Sequence, residues 1–132
     1  MRVRRTAVDD IVAHARAAAP DECCGLLLGR DDAIVESVRA TNVAADPVRR
    51  FVLDPKDHID ERRRARERGL AVAGFYHSHP RSPAEPSASD LAEASYPEHL
   101  YLIVSVAGAA PDVRLFRFSD GNFRPIRFVT VG

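Results

Sequence analysis

Several features that mark other classes of protein are missing from this sequence of 132 residues. No apolar run approaches the ~20 residues that a helix needs to span a bilayer. The start of the chain, Met1–Arg5, is followed by Asp9 and Asp10 and not by the apolar core of a signal peptide. We therefore expect a cytoplasmic protein with no membrane partner.

Cysteine is scarce, and the two that are present, Cys23 and Cys24, are adjacent. Neighbouring Cα atoms lie ~3.8 Å apart, which is short of the usual disulfide span. We expect two free thiols in a reducing compartment. Neither has a basic neighbour in sequence, which favours small core residues over nucleophiles. No spaced pair of cysteines exists that could complete a closed structural zinc site.

The sequence has no excess of either charge, with 19 basic and 19 acidic residues. Lysine is almost absent, since Lys56 is the single one. An arginine cluster lies within residues 62–68, but acidic residues interleave with it, as in the i,i+4 pair Asp60 and Arg64. This pattern is typical of a solvated, salt-bridged helix face. The sequence therefore predicts no nucleic-acid partner.

Hydrophobic periodicity indicates a mixed fold in one domain, residues 1–132, without repeats or an interdomain linker. The fold class is α/β or α+β. Three helices are expected, the first with Thr6 as its N-cap, the second from Pro55 to about Arg68, and a short third one from Ser87. The predicted strands, in chain order, are Val3–Arg5, Cys23–Leu28, Ala33–Ala40, Phe51–Leu53, Leu70–Tyr76, Leu100–Val106, Val113–Phe118 and Phe123–Val131.

The most informative stretch runs from Gly74 to Asp90. An apolar strand ends there in His77-Ser78-His79. Because strand side chains repeat with a period of two, both imidazoles point to one face and Ser78 to the other. The two histidines can therefore share one metal ion.

The chain that follows brings the Asp90 carboxylate back toward the strand end that carries His77 and His79. Pro80 ends the strand, a Pro-rich loop of six residues from Arg81 to Pro86 turns the chain, and Ser87 begins a helix with Asp90 in its first turn. Two imidazoles and one carboxylate are typical of catalytic zinc, which keeps a fourth position for water. Ser87-x-x-Asp90 also has an ordinary interpretation as a capping box, and His-x-His alone is weak.

A second acidic residue, Glu22, precedes the apolar strand Cys23–Leu28. It can be an ordinary solvated residue at a strand boundary. It can also be an acid/base group, which must reach a metal-bound water without occupying a ligand position. A strand end in the same sheet as His77 would place it suitably.

Together these residues resemble the JAMM (MPN-plus, JAB1/Mov34) metallopeptidase family. The resemblance rests on His77-x-His79-Pro80, six residues, then Ser87-x-x-Asp90, with Glu22 in an early Glu-Cys-Cys-Gly-Leu-Leu-Leu-Gly segment. The resemblance covers essentially the whole chain. Within the family, the arrangement looks most like that of the small bacterial members, which act on ubiquitin-like sulfur-carrier proteins. It implies a central curved, mostly antiparallel sheet flanked by helices, as in the cytidine-deaminase-like superfold.

The resemblance also implies roles for individual residues. His77, His79 and Asp90 would hold one Zn²⁺ per chain, Glu22 would be the general acid/base, and Ser87 would hydrogen-bond the developing oxyanion. The expected reaction is hydrolysis of an amide bond after the C-terminal Gly-Gly tail of a ubiquitin-like or sulfur-carrier protein. Arg49, Arg50 and Phe51 are candidate substrate contacts.

Three other functions are weighed against this one. A non-catalytic MPN-type interaction scaffold would not need the complete set of site residues. A two-His-one-carboxylate iron oxygenase usually has an all-β barrel, which the predicted first helix disfavours. Base deamination is disfavoured because the sequence has no His-x-Glu with a Pro-Cys-x-x-Cys.

Overall fold

A computed structural model describes residues 1–132 and has three helices and eight strands. The helices are α1 (Arg5–Ala18), α2 (Pro55–Glu67) and α3 (Ala88–Glu93). The strands are β1 (Arg2–Arg4), β2 (Cys24–Arg30), β3 (Ala33–Ala40), β4 (Ala71–His79), β5 (Leu100–Ser105), β6 (Asp112–Ser119), β7 (Asn122–Ile126) and β8 (Val129–Val131).

All eight strands form one sheet in the order β7-β6-β5-β4-β2-β3-β1-β8. Four of its seven pairings are antiparallel, and β1 with β3, β1 with β8 and β4 with β5 are parallel. The two edge strands, β7 and β8, are joined in the chain by Arg127 and Phe128 alone. Three Cα–Cα steps reach at most ~11 Å, so the two edges must come close together. The predicted curved, mostly antiparallel sheet is confirmed.

Helices cover the two faces of this sheet. On one face, Ile11 and Ala15 of α1 pack in a buried cluster with Leu27, Tyr76 and Leu102. On the other face a second cluster contains Ala65 of α2, with Leu26, Leu28, Phe75 and Tyr101. Successive residues of β2 and β4 therefore face opposite helices, as the strand period requires. Each fully buried Leu or Ile contributes about 1.5–3 kcal/mol to burial free energy.

The start of α1 differs from the prediction. The helix begins at Arg5 with Arg4 as N-cap, no side chain caps it, and Thr6 lies inside it. Strand β1 runs directly into the helix and pairs with β3 and β8, so tertiary pairing and not a capping side chain sets the boundary. By contrast, α2 begins as predicted, with Asp54 accepting a hydrogen bond from Lys56 N and Pro55 at the first position.

Two predicted strands also differ. Phe51–Leu53 forms only an isolated bridge, between Leu53 and Asn42. Phe123–Val131 divides into β7 and β8, which lie at opposite edges of the sheet. The hairpin before them is confirmed, since Asp120 and Gly121 have φ of 53° and 76°, the positive values of a type I′ turn.

None of the three helices is long and apolar enough to cross a membrane. Cys23 and Cys24 are both free and buried, as their adjacency in the sequence predicted.

Candidate metal centre

Strand register brings Glu22 to the two histidines. Cys24 of β2 pairs with His77 of β4, and the two strands are antiparallel. Just beyond β2, the Ser78 N–H donates to the Cys23 carbonyl at 3.1 Å. The same register places Glu22 opposite His79. Because residues directly opposite in a ladder share a face, the carboxyl group lies on the side of the sheet that both imidazoles occupy.

Asp90 lies in the first turn of α3, after the loop that follows β4. The loop that carries it back is fixed by buried Ala84 and by Ser105, whose hydroxyl donates to the Ser82 carbonyl at 2.6 Å. The capping box is present, with Ser87 Oγ accepting from Asp90 N at 3.0 Å and Asp90 Oδ2 accepting from Ser87 N at 2.9 Å. The capping interpretation and the metal interpretation therefore use the same carboxylate oxygen.

Three ligand-type atoms form a nearly equilateral triangle. The Nε2 atoms of His77 and His79 lie 3.2 Å apart, and each is 3.1 Å from Asp90 Oδ2. Glu22 joins them in a buried group of four whose donor atoms all lie within 4.8 Å of one another. His77, His79 and Asp90 are exposed by only 1%, 4% and 8%. These four residues are the ones to which the sequence analysis gave metal-ligand and acid/base roles, and the structure brings them together.

The triangle fits a small tetrahedral cation. Ligand atoms bound to zinc at about 2.0–2.1 Å with tetrahedral angles lie about 3.3–3.4 Å apart, within a few tenths of an ångström of the observed edges. The Pro83 carbonyl accepts a hydrogen bond from His79 Nδ1–H at 2.7 Å, so in the neutral ring Nε2, the atom at the triangle, would carry the lone pair that a metal needs. The donor set is borderline-soft nitrogen with one oxygen, which suits zinc.

Burial and charge set the protonation of this group. Burial lowers the pKa of His77. Burial also acts to raise the pKa of Asp90, but hydrogen bonds from the two histidines outweigh it and hold that pKa well below its usual range. Burial acts to lower the pKa of His79, but its contacts with Asp90 and Pro83 outweigh burial and raise that pKa overall. The centre is therefore an ionised carboxylate between two imidazoles.

The Glu22 side chain has a carboxyl oxygen, Oε1, that is buried without a hydrogen-bond partner. Burial raises the pKa of Glu22 to about 7. His79 acts to lower this pKa and Asp90 adds a smaller increase, so burial decides the direction. A carboxyl group in this state can hold or release a proton near neutral pH.

A cavity of about 250 Å³ opens beside two of the four residues, His77 and Asp90. Its other walls are mainly aromatic and aliphatic side chains, those of Phe51, Val52, Leu53, Pro55, His58, Phe75, Tyr96, Tyr101 and Phe123. The Phe51 ring stacks on His77 with centroids 4.4 Å apart and planes inclined by 22°. An apolar groove thus leads to the metal-type centre.

Of the three residues suggested as substrate contacts, only Phe51 lines this groove. Arg49 and Arg50 are exposed, and Arg49 pairs weakly with Asp46 at 3.8 Å. His14 is only half-exposed, and its Nδ1 lies 2.7 Å from the Tyr76 hydroxyl. Asn42 and Ser78, whose side chains hold the backbone next to Glu22, were not singled out by the sequence pattern.

Comparisons with known proteins agree with this geometry. Residues 4–119 match the family model described as prokaryotic homologs of the JAB domain. The chain is 41% identical over 106 residues to a desampylase of Haloferax volcanii, covering 76% of each chain. It is 31% identical over 122 residues to the CysO-cysteine peptidase of Mycobacterium tuberculosis, covering 90% of this chain and 83% of the relative. The solution structure of protein DSY2949 from Desulfitobacterium hafniense superposes with a TM-score of 0.90 at 30% identity, over 98% and 92% of the two chains.

Proposed function

Because the chain belongs to the prokaryotic JAB family and is a hydrolase of the JAMM type, we propose that it cleaves the amide bond that follows the C-terminal Gly-Gly tail of a ubiquitin-like or sulfur-carrier protein. The observation that carries the proposal is the buried triangle of His77, His79 and Asp90 with Glu22 beside it. A triangle of this size with a nearby unpartnered carboxyl group supports metal-assisted hydrolysis.

In this proposal one Zn²⁺ per chain is held by His77, His79 and Asp90. When bound, zinc would lower the pKa of a water molecule to about 7 and polarise the carbonyl group to be attacked. The Pro83 carbonyl and the Ser87 N–H orient two of the three ligands through hydrogen bonds at 2.7 and 2.9 Å. The ligands are therefore held in place by the loop and helix that follow β4.

Glu22 is the proposed general base and then general acid. Its carboxylate would accept a proton from the attacking water, and the carboxyl group would return that proton to the nitrogen of the leaving amine. The C–N bond breaks as the proton is delivered, so the tail is released as a carboxylic acid. Two observations support the role, the raised pKa of about 7 and the free Oε1 atom.

Ser87 is the proposed donor to the oxyanion. Its Oγ accepts the Asp90 N–H in the capping box, which leaves the hydroxyl hydrogen free to point at the substrate. Ser87 belongs to the same turn as Asp90, so the donor and one metal ligand move together. A hydrogen bond to developing negative charge lowers the barrier more than it stabilises the bound substrate.

The groove beside the centre suits the tail of a carrier protein. Its walls are mainly apolar, and the Phe51 ring lies directly against His77. A tail that ends in two glycines brings no side chain against the Phe51 and His77 rings, whereas larger residues further from the bond can contact the other aromatic side chains of the groove. The names of the relatives support the same class of substrate, since one is a desampylase and another a CysO-cysteine peptidase.

Balanced charge gives no reason to add a nucleic-acid partner. The scaffold and oxygenase alternatives are both disfavoured, because the relatives that cover most of this chain are named for cleavage of conjugates or peptides. We keep the cytoplasm as the predicted location.

The test is cleavage of a ubiquitin-like carrier that ends in Gly-Gly with one cysteine joined to the last glycine. Mass spectrometry of the carrier follows loss of the cysteine after incubation with zinc-loaded protein. We expect cleavage by the wild type and by Ser37→Ala, a substitution on β3 away from the centre, and none by Glu22→Gln. A matched carrier that ends in Ala-Ala should be cleaved much more slowly. Equal cleavage by Glu22→Gln, or none by the wild type, would reject the proposal.

A further inference from the structure

Asn42 lies in the loop between β3 and α2 and uses all of its hydrogen-bonding capacity. Its Nδ2 donates to the Glu22 carbonyl at 2.9 Å and to the Arg50 carbonyl at 3.1 Å. Its Oδ1 accepts from Ala44 N and from Val52 N, both at 3.0 Å. A half-buried side chain with four backbone partners on three segments of the chain is a structural junction.

The first of these segments contains Glu22. Strand β2 begins only at Cys24, so Glu22 lies beyond the regular ladder. Three contacts hold it instead. Its carbonyl accepts from Asn42, its N–H donates to the Pro47 carbonyl at 2.7 Å, and the next N–H, of Cys23, donates to Ser78 Oγ at 2.8 Å. Asn42 and Pro47 belong to the same loop, so this loop decides where the Glu22 backbone lies.

The second segment contains Phe51. Asn42 bonds the carbonyl of the residue before it, Arg50, and the N–H of the residue after it, Val52. The Phe51 ring between them stacks on His77. One side chain therefore fixes the backbone on both sides of a ring that lines the groove and stacks on His77.

We propose that Asn42 is a positioning residue that sets Glu22 and Phe51 against the two histidines at the same time. This inference rests on the proposed function, since it assumes that Glu22 transfers the proton. Asn42 itself does not touch the reacting atoms. Its effect follows from the steep distance dependence of proton transfer and attack, for which a displacement of ~1 Å can cost about 100-fold in rate.

Two substitutions separate the two halves of the junction. Asn42→Asp keeps an acceptor for the Ala44 and Val52 N–H groups but replaces the donors to Glu22 and Arg50 with an oxygen that repels their carbonyls. Asn42→Ala removes all four bonds. Ser37→Ala is the matched control, because its hydroxyl also makes a side-chain-to-backbone bond between two elements, to Ala7 O at 3.3 Å, and it lies on the strand next to β2 and not in the site.

Turnover of the carrier–cysteine substrate by zinc-loaded protein is the first readout. We expect kcat to fall about 10- to 100-fold in both Asn42 variants, at one zinc per chain, with kcat of Ser37→Ala unchanged. KM should rise further in Asn42→Ala than in Asn42→Asp, because only the alanine variant also releases the Val52 side of Phe51. A role confined to the groove would raise KM and leave kcat unchanged, which would overturn the proposal.

Amide hydrogen exchange of the metal-free protein, followed residue by residue by NMR, is the second readout and needs neither zinc nor substrate. The Glu22 N–H should exchange about tenfold faster or more in both Asn42 variants and not in Ser37→Ala. Unchanged exchange at Glu22 would overturn the proposal even if turnover fell. Should Asn42→Ala fail to fold, Asn42→Asp, which keeps two of the four bonds, decides the question alone.

The same experiments distinguish the failure of this inference from failure of the proposed function. An inactive wild type, or an active Glu22→Gln variant, would reject the function whatever Asn42 does. An active wild type with inactive Glu22→Gln and fully active Asn42 variants would leave the function standing and reject the inference.

Discussion

Glu22→Gln should stabilise the metal-free protein, and the size of the effect follows from burial of the carboxyl group. Burial raises the pKa of Glu22 from the ordinary 4.5 to about 7. At about 1.4 kcal/mol per pH unit, ionising this group in the folded protein costs about 3 kcal/mol. Glutamine has the shape of the neutral carboxyl group and carries no charge, so the variant avoids this cost.

The pH range of the effect is set by the two pKa values. Below pH 4.5 the group is protonated in the folded and unfolded protein, and it contributes no pH dependence. Between pH 4.5 and 7 the unfolded chain loses the proton while the folded protein keeps it, so the free energy of unfolding falls as pH rises. Above pH 7 both forms are ionised and the loss is complete.

Urea unfolding of chelator-treated protein, repeated at several pH values, measures this difference. We expect equal stability of wild type and Glu22→Gln near pH 4.5, and an advantage of about 3 kcal/mol for the variant at pH 8, which corresponds to roughly 10 °C in Tm. Subtracting the two curves removes the titration of groups that both proteins share. Parallel curves across this range would refute the assignment of a buried, raised carboxyl group at Glu22.

Three further substitutions test other parts of the account. In Gly74→Ala the new Cβ would overlap the Leu100 backbone oxygen, so the free energy of unfolding should fall by about 2–3 kcal/mol. Gly108→Ala is the control, because the nearest atom to its new Cβ is 3.8 Å away and the free energy of unfolding should change little. Urea unfolding of the two variants measures the difference. Ser87→Ala removes the cap and the proposed oxyanion donor, so stability should fall by about 1 kcal/mol and kcat by about 100-fold, and an unchanged kcat would remove Ser87 from the mechanism. Phe51→Ala should raise KM by about tenfold or less at unchanged zinc content, and loss of zinc instead would mean that the ring supports the ligands.

The residues of the centre could be predicted because their signals are local. The strand period fixes the common face of His77 and His79, and the capping pattern fixes the turn that holds Asp90. Glu22 could be named only through the family resemblance, since its approach to His79 depends on the register between β2 and β4. The curved sheet likewise came from the resemblance and not from the order of the strands.

Features that depend on distant partners could not be predicted. No signal near residues 123–131 shows that the segment divides, because β8 is defined by its pairing with β1 at the other end of the chain. The four bonds of Asn42 reach residues up to 20 positions away in the chain, and asparagine in a loop has an ordinary interpretation as a turn residue. The helix start at Arg5 was missed for the same reason, since β1 pairing overrides capping preference.

Elemental mass spectrometry of the purified protein and of the His79→Ala variant would show whether the buried triangle binds zinc. We expect about one zinc per chain in the wild type, lost in the variant, because His79 would provide one of three ligand atoms that lie 3.1–3.2 Å apart. Protein that carries no zinc after purification in zinc-replete buffer, or a variant that keeps it, would contradict the account.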